Sequence, residues 1–196
     1  LDDNPPLCST IDLGGVTRTI DTLFFDNAQG SYALVNGTLD LSQIQQSGPN
    51  GTNIIGSSAA VTASTLTTDS EAGTLDIPAQ ITASNLILYG SVGQQVNLRN
   101  TSNAISTISN QGNSVALNAI DPGSIGAASV QLSNGGILGL YTDIPNGSYN
   151  NAVNVSGTGG LIADVADASG PTSNVVHLSS LDITSSGLLS FETRDN

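Results

Sequence analysis

The chain has no lysine, no tryptophan and no methionine, and only one cysteine and one histidine in 196 residues. Arg18, Arg99 and Arg194 are its only basic residues, against sixteen Asp and Glu, so the formal net charge is −13. That balance excludes a nucleic-acid binder, because phosphate contacts need Lys and Arg in number. It equally disfavours docking on anionic lipid. Cys8 has no second cysteine to pair with, which excludes an internal disulfide framework. His177 and Cys8 together fall short of a zinc site, which takes three or four ligands. No apolar run approaches the ~18 residues of a spanning helix, so insertion into a bilayer is not expected.

Other scarcities bear on the fold. Aromatics are 4% of the chain and charged residues 10%, the latter against about 25% in ordinary domains. Helical patterning is poor, since Gly and Pro interrupt nearly every window. The best helix candidate is "GLIADVADA", Gly160 to Ala168, and its alternation suits a strand nearly as well. What remains is 38% apolar residues set among Gly, Asn, Ser and Thr. This is strand-and-turn chemistry, and its regular recurrence argues for order.

Short alternating pieces recur at Val96–Leu98, Val115–Leu117, Val130–Leu132, Val153–Val155 and Val176–Leu178, with starts 19, 15, 23 and 23 residues apart. Asn-Gly turn signals stand at 36, 50, 134 and 146. An imperfect period near 20 predicts an all-β, single-domain parallel β-helix, or β-solenoid. At ~20 residues per coil and ~4.8 Å per rung the chain makes roughly nine or ten coils, a rod of about 45 Å. A β-sandwich or jelly roll is the alternative, although large residues to fill a ~10 Å gap between sheets are short. Residues 1–10, with two prolines, read as an N-terminal arm; 11–196 read as the solenoid, with 11–56 a cap or its first coils.

The stretch "RTIDTLFFDNAQGSYALVNGTLDLS", Arg18 to Ser42, resembles the strand repeats of autotransporter passengers. "SNLILYGS", "SNAISTISNQGNSVALNA" and "ASVQLSNGGILGLYT" resemble the repeats of filamentous-haemagglutinin-type adhesins. The resemblance implies a right-handed parallel β-helix, secretion to the cell exterior, and structural or adhesive work without catalytic residues.

Reactive constellations are sparse. There is no G-x-S-x-G and no phosphate-binding glycine loop. His177, in "VVHLSSL", alternates with Val176 and Leu178 and is expected to face outward. Asp164 with Asp167, and Asp69 with Glu71, are the carboxylate pairs a glycosidase would need. A β-helical enzyme acting on acidic polysaccharide also needs cations to hold its substrate, and these are missing. No cofactor is expected. Calcium is the metal that suits the composition, with Asp143, Asp164 and Asp167 as candidate ligands. An aromatic ladder on one face would favour glycan binding; the four scattered tyrosines, Tyr32, Tyr89, Tyr141 and Tyr149, do not make one, and Tyr141 with Tyr149 is the pair closest in sequence.

The expectation is therefore a non-enzymatic extracellular structural protein: a filament or surface-layer subunit, or an adhesin stalk. It would self-associate head to tail through the arm or the solenoid ends. A glycan- or host-receptor-binding module is the alternative, and a polysaccharide-degrading enzyme comes third.

Overall fold

Alternating small apolar and polar residues with frequent turn formers give short strands, each too narrow to bury its own inner side chains; stacking solves that. The computed structural model describes residues 8–26, 31–47, 51–71, 73–142, 147–164, 175–184 and 186–192. Its strands are β1 (Cys8–Asp12), β2 (Thr17–Thr19), β3 (Thr22–Asp26), β4 (Ser31–Val35), β5 (Gly37–Asp40) and β6 (Gln43–Ser47). Then come β7 (Thr52–Ile55), β8 (Ala59–Ser70), β9 (Gly73–Ile77), β10 (Gln80–Gly90), β11 (Gln94–Leu98), β12 (Ala104–Asn110) and β13 (Ala116–Ile120). The chain continues through β14 (Ser129–Leu132), β15 (Gly136–Tyr141), β16 (Ala152–Val155), β17 (Thr158–Asp164), β18 (Ser180–Ile183) and β19 (Leu188–Glu192).

Among the described residues there is no helix, and every strand pairing is parallel. One sheet has nine strands in the order β1-β4-β7-β9-β11-β13-β15-β17-β19. The other has ten, running β18-β16-β14-β12-β10-β8-β5-β2, with β3 and β6 beside it. The chain alternates between the two, so the molecule is a β-solenoid. Eight steps between the nine strands at ~4.8 Å give a rod of about 38 Å. Gly160 to Asp164 of the best helix candidate lie in strand β17 (Thr158–Asp164); Val165 to Ala168 lie outside the described residues. Cys8, Ser9 and Thr10, expected in the arm, are the first residues of β1 and pair with Ser31, Tyr32 and Ala33. Residues 1–7 lie outside the described set.

The core consists of columns, one residue per rung. Leu75, Val96, Leu117, Leu138, Leu161 and Phe191 form one. Leu66, Leu86, Ile108, Val130, Val153 and Leu181 form another. Within the rod these side chains are buried: Leu86, Ile108 and Leu117 are at 0% exposure, each burial worth about 1.5–3 kcal/mol. The long strands β8 and β10 bend. Val61 and Ile81 are buried, and after the bend Leu66 with Leu86, and Thr68 with Leu88, are buried. The ladder passes from Ala83↔Ala63 to Asn85↔Thr65 and steps over Ser64 and Ser84. A one-residue slip in a period-2 pattern turns side chains to the opposite face, so both halves point inward only if the chain turns a corner there. The Asn-Gly signals at Asn36 and Asn134 fall at bends where both asparagines have positive φ, 57° and 54°; the signals at 50 and 146 lie outside the described residues.

Buried amides do two opposite jobs. Asn103 is fully used between rungs: its Oδ1 accepts from the Ile81 N–H (2.7 Å) and its Nδ2 donates to the Ser124 carbonyl (2.7 Å). Gln94, at 1% exposure, has no partner for either amide atom. The ladder pairs Gln95 with Ala116, so the next rung carries Val115 at the Gln94 position. Burying an unpartnered amide costs about 1–3 kcal/mol. Gln94→Leu is therefore expected to raise stability by roughly 1–2 kcal/mol, read as a higher urea midpoint with an unchanged slope. A lower midpoint would mean that the amide is solvated by water inside the coil.

Candidate functional site: the lateral face of the rod

Outward positions on the second sheet also form columns, and these bring together residues far apart in sequence. Phe24 pairs with Gln45, Gln45 with Asp69, and Asp69 with Tyr89. They stand in one line on β3, β6, β8 and β10. Phe24 is 55% exposed and Tyr89 41%; at three rungs of ~4.8 Å they are about 14 Å apart along the axis. A shallow cavity of about 190 Å³ opens beside Phe24, between Gln45, Ser47, Asp69 and Glu71. Among the described residues, neither the Asp69 nor the Glu71 side chain has a hydrogen-bond or ion-pair partner.

Most other described acids are engaged across rungs. Asp21 accepts from Ser42 Oγ (2.7 Å), Asp26 from Ser47 Oγ (3.0 Å), and Asp12 Oδ1 from Asn36 Nδ2 (2.9 Å). Asp76 pairs with Arg99 Nε at 2.6 Å. These carboxylates tie neighbouring coils together.

Two further cavities lie on the rod. One of about 470 Å³ follows a corner lined by Asn36, Ser58, Gln80, Asn100 and Ser102; it offers hydrogen bonds and no titratable side chain. The other, about 400 Å³, is lined by Thr19, Asp21, Asp40, Ser42 and Thr65.

The residues singled out from sequence fall as follows. Asp164 closes β17 beside Tyr141, and its carbonyl accepts from the Thr142 N–H (3.1 Å). Asp143 and Asp167 lie outside the described residues. No group of three or more His, Cys, Asp and Glu suited to a metal occurs among the described residues. His177 is exposed and joins Ser148 in an isolated bridge, as the outward reading expects. Asp69 and Glu71 do share one wall.

Tyr141 and Tyr149 are buried, at 3% and 4% exposure, and cannot serve as a glycan surface. Tyr149 Oη donates to the Ala119 carbonyl (2.8 Å) and lies against the Tyr141 carbonyl. Burial, with the Asp121 charge nearby, pushes its phenol well above the usual range. The aromatic pair that is on the surface, Phe24 with Tyr89, is separated by 65 residues; only the rung register, readable from the β3–β6–β8–β10 pairing, puts the two in line.

No protein-family model matches the chain, and no match is found among curated proteins or solved structures.

Proposed function

We infer that the protein is a non-enzymatic structural rod of the cell exterior, a subunit that stacks head to tail on further copies of itself. What carries the reading is the way the core columns run open at the ends. Phe191 continues the Leu161 column, and Leu181 and Ile183 continue those of Val153 and Val155. Phe191 is 75% exposed and Leu188 66%. At the opposite end Ile11 continues the Leu34 column and is also exposed. Among the described residues, such an end presents core residues together with a strand edge that no further strand pairs, and what fits it is another β-coil of the same width. A heterologous contact of this kind does not close, so it propagates as a filament. Arg18 stands at the register position of Leu39 and Val61 at the first end and is exposed; a charge at this end limits indiscriminate edge pairing.

The scarcity of cations weighs against a polysaccharide-degrading role on acidic substrates: among the described residues the arginines are Arg18 and Arg99, and Arg99 is held by Asp76. The resemblance to autotransporter and haemagglutinin-type repeats agrees with an extracellular rod. Electron microscopy across a concentration series, with calcium and with chelator, tests the reading. Uniform fibres that appear with concentration, and that Leu188→Asp with Phe191→Asp reduces to single rods of unchanged circular dichroism, are the expected result. With a net charge of −13, salt or calcium should promote assembly by screening repulsion. Single rods at every concentration would overturn the subunit reading.

A further inference from the structure

We propose that the Phe24–Gln45–Asp69–Tyr89 column binds an uncharged, extended β-1,4-linked glycan, laid along the rod axis. The inference stands on the lateral face alone and does not depend on end-to-end assembly. Four observations carry it. First, two exposed aromatic rings share one column, with the shorter Gln45 and Asp69 between them. Sugar rings present apolar C–H faces that settle on aromatic platforms, the same burial that makes aromatics dominate binding surfaces. Second, the groups between the platforms are an amide and a carboxylate, with Glu71 and Ser47 beside the cavity at Phe24. These are donors and acceptors suited to hydroxyl groups, and charge-assisted bonds to a carboxylate are the stronger kind.

Third, the spacing fits. An extended β-1,4 chain advances about 5 Å per sugar, close to the ~4.8 Å rung of a parallel sheet. A sugar on Phe24 then places the fourth unit over Tyr89, with the second and third over Gln45 and Asp69. Fourth, the charge selects the ligand. Asp69 and Glu71 have no cation beside them among the described residues, and the whole chain carries −13, so a uronate- or sulfate-bearing glycan is repelled.

The test is calorimetric titration of the 196-residue chain with cello- and chito-oligosaccharides of two to six units, at low and high salt. Binding is expected to strengthen steeply up to the tetramer, to level off beyond it, and to be insensitive to salt. Phe24→Ala and Tyr89→Ala are each expected to weaken it about tenfold. Both residues are exposed, so the variants should keep the parent's urea midpoint, and this is checked alongside. Asp69→Asn, which keeps hydrogen-bonding capacity, should weaken binding less than Asp69→Leu. Three results would overturn the proposal: no binding by any oligosaccharide of the series; binding unaffected by both aromatic substitutions; or binding only of a lysine-rich peptide, abolished by salt, which would make the face a docking site for cationic protein.

Discussion

Replacing Asn103 by leucine is expected to lower the unfolding free energy by about 3–5 kcal/mol, among the largest effects available at a polar site in this chain. The side chain is 6% exposed and spans three successive coils. It accepts from the Ile81 N–H on one side and donates to the Ser124 carbonyl on the other. Leucine has the same branched heavy-atom skeleton and is the larger residue, so no cavity forms and any misfit is overpacking. What is lost is the pairing of two buried backbone groups, each costing about 1–3 kcal/mol when left unsatisfied. Urea unfolding of the variant beside Gln94→Leu makes the point sharply, since both replace a buried amide by the same residue. The expected shifts have opposite signs, because Asn103 is partnered on both sides and Gln94 on neither. If both shifts have the same sign, hydrogen-bond satisfaction is not what decides the stability of the coil interior.

Gly126→Val is expected to cost about 3 kcal/mol or more. Gly126 has φ of +57°, and a Cβ there would stand 2.5 Å from the Asn103 carbonyl oxygen. The obstacle is backbone, which cannot rotate away, and a β-branched residue tolerates positive φ poorly. The substitution also disturbs the next link: Asn151 Nδ2 donates to the carbonyls of Gly126 (3.2 Å) and Ala128 (2.8 Å). Asn103 and Asn151 thus hold the turn 121–128 from both sides, where the coil carries no strand between β13 and β14. Gly126→Ala should retain part of the loss, and Gly157→Ala, where the nearest atom is 3.8 Å away, should show only the backbone cost of its positive φ. A Gly126→Val protein with the parent's urea midpoint would mean that the turn is free to shift, and that the asparagines do not clamp it.

The parallel solenoid was legible because its cause is local. Val96–Leu98 and Val115–Leu117 alternate as strands do, and Asn36-Gly37 and Asn134-Gly135 mark bends. The imperfection of the period was equally informative once the pairing was known. Val96 stands beside Leu117, a step of 21 residues, whereas Val130 lies on the other sheet and stands beside Val153, a step of 23. The irregular spacings read from sequence mixed steps between rungs with passages between faces. Alternation alone could not reveal this, since period 2 says which side chains share a face and nothing about which sheet they belong to.

The surface was far less legible. Tyr141 and Tyr149 are near in sequence and were the natural pair to watch, yet both are packed under neighbouring coils, and Tyr149 is spent on the Ala119 carbonyl. Phe24 sits beside Phe25 in "LFFD"; Phe25 is buried at 3% while Phe24 is exposed, and the choice between them is one residue of register. The sequence by itself determined the class of fold, because strand alternation, turn residues and the lack of large side chains act within a few residues. It also determined the charge, and with it the partners that are repelled. Only the tertiary structure decided which aromatics reach solvent, which acids tie coils and which stand free, and which residues meet in a column. Those outcomes depend on pairing between segments some 20 to 30 residues apart, where a slip of one residue exchanges inside for outside.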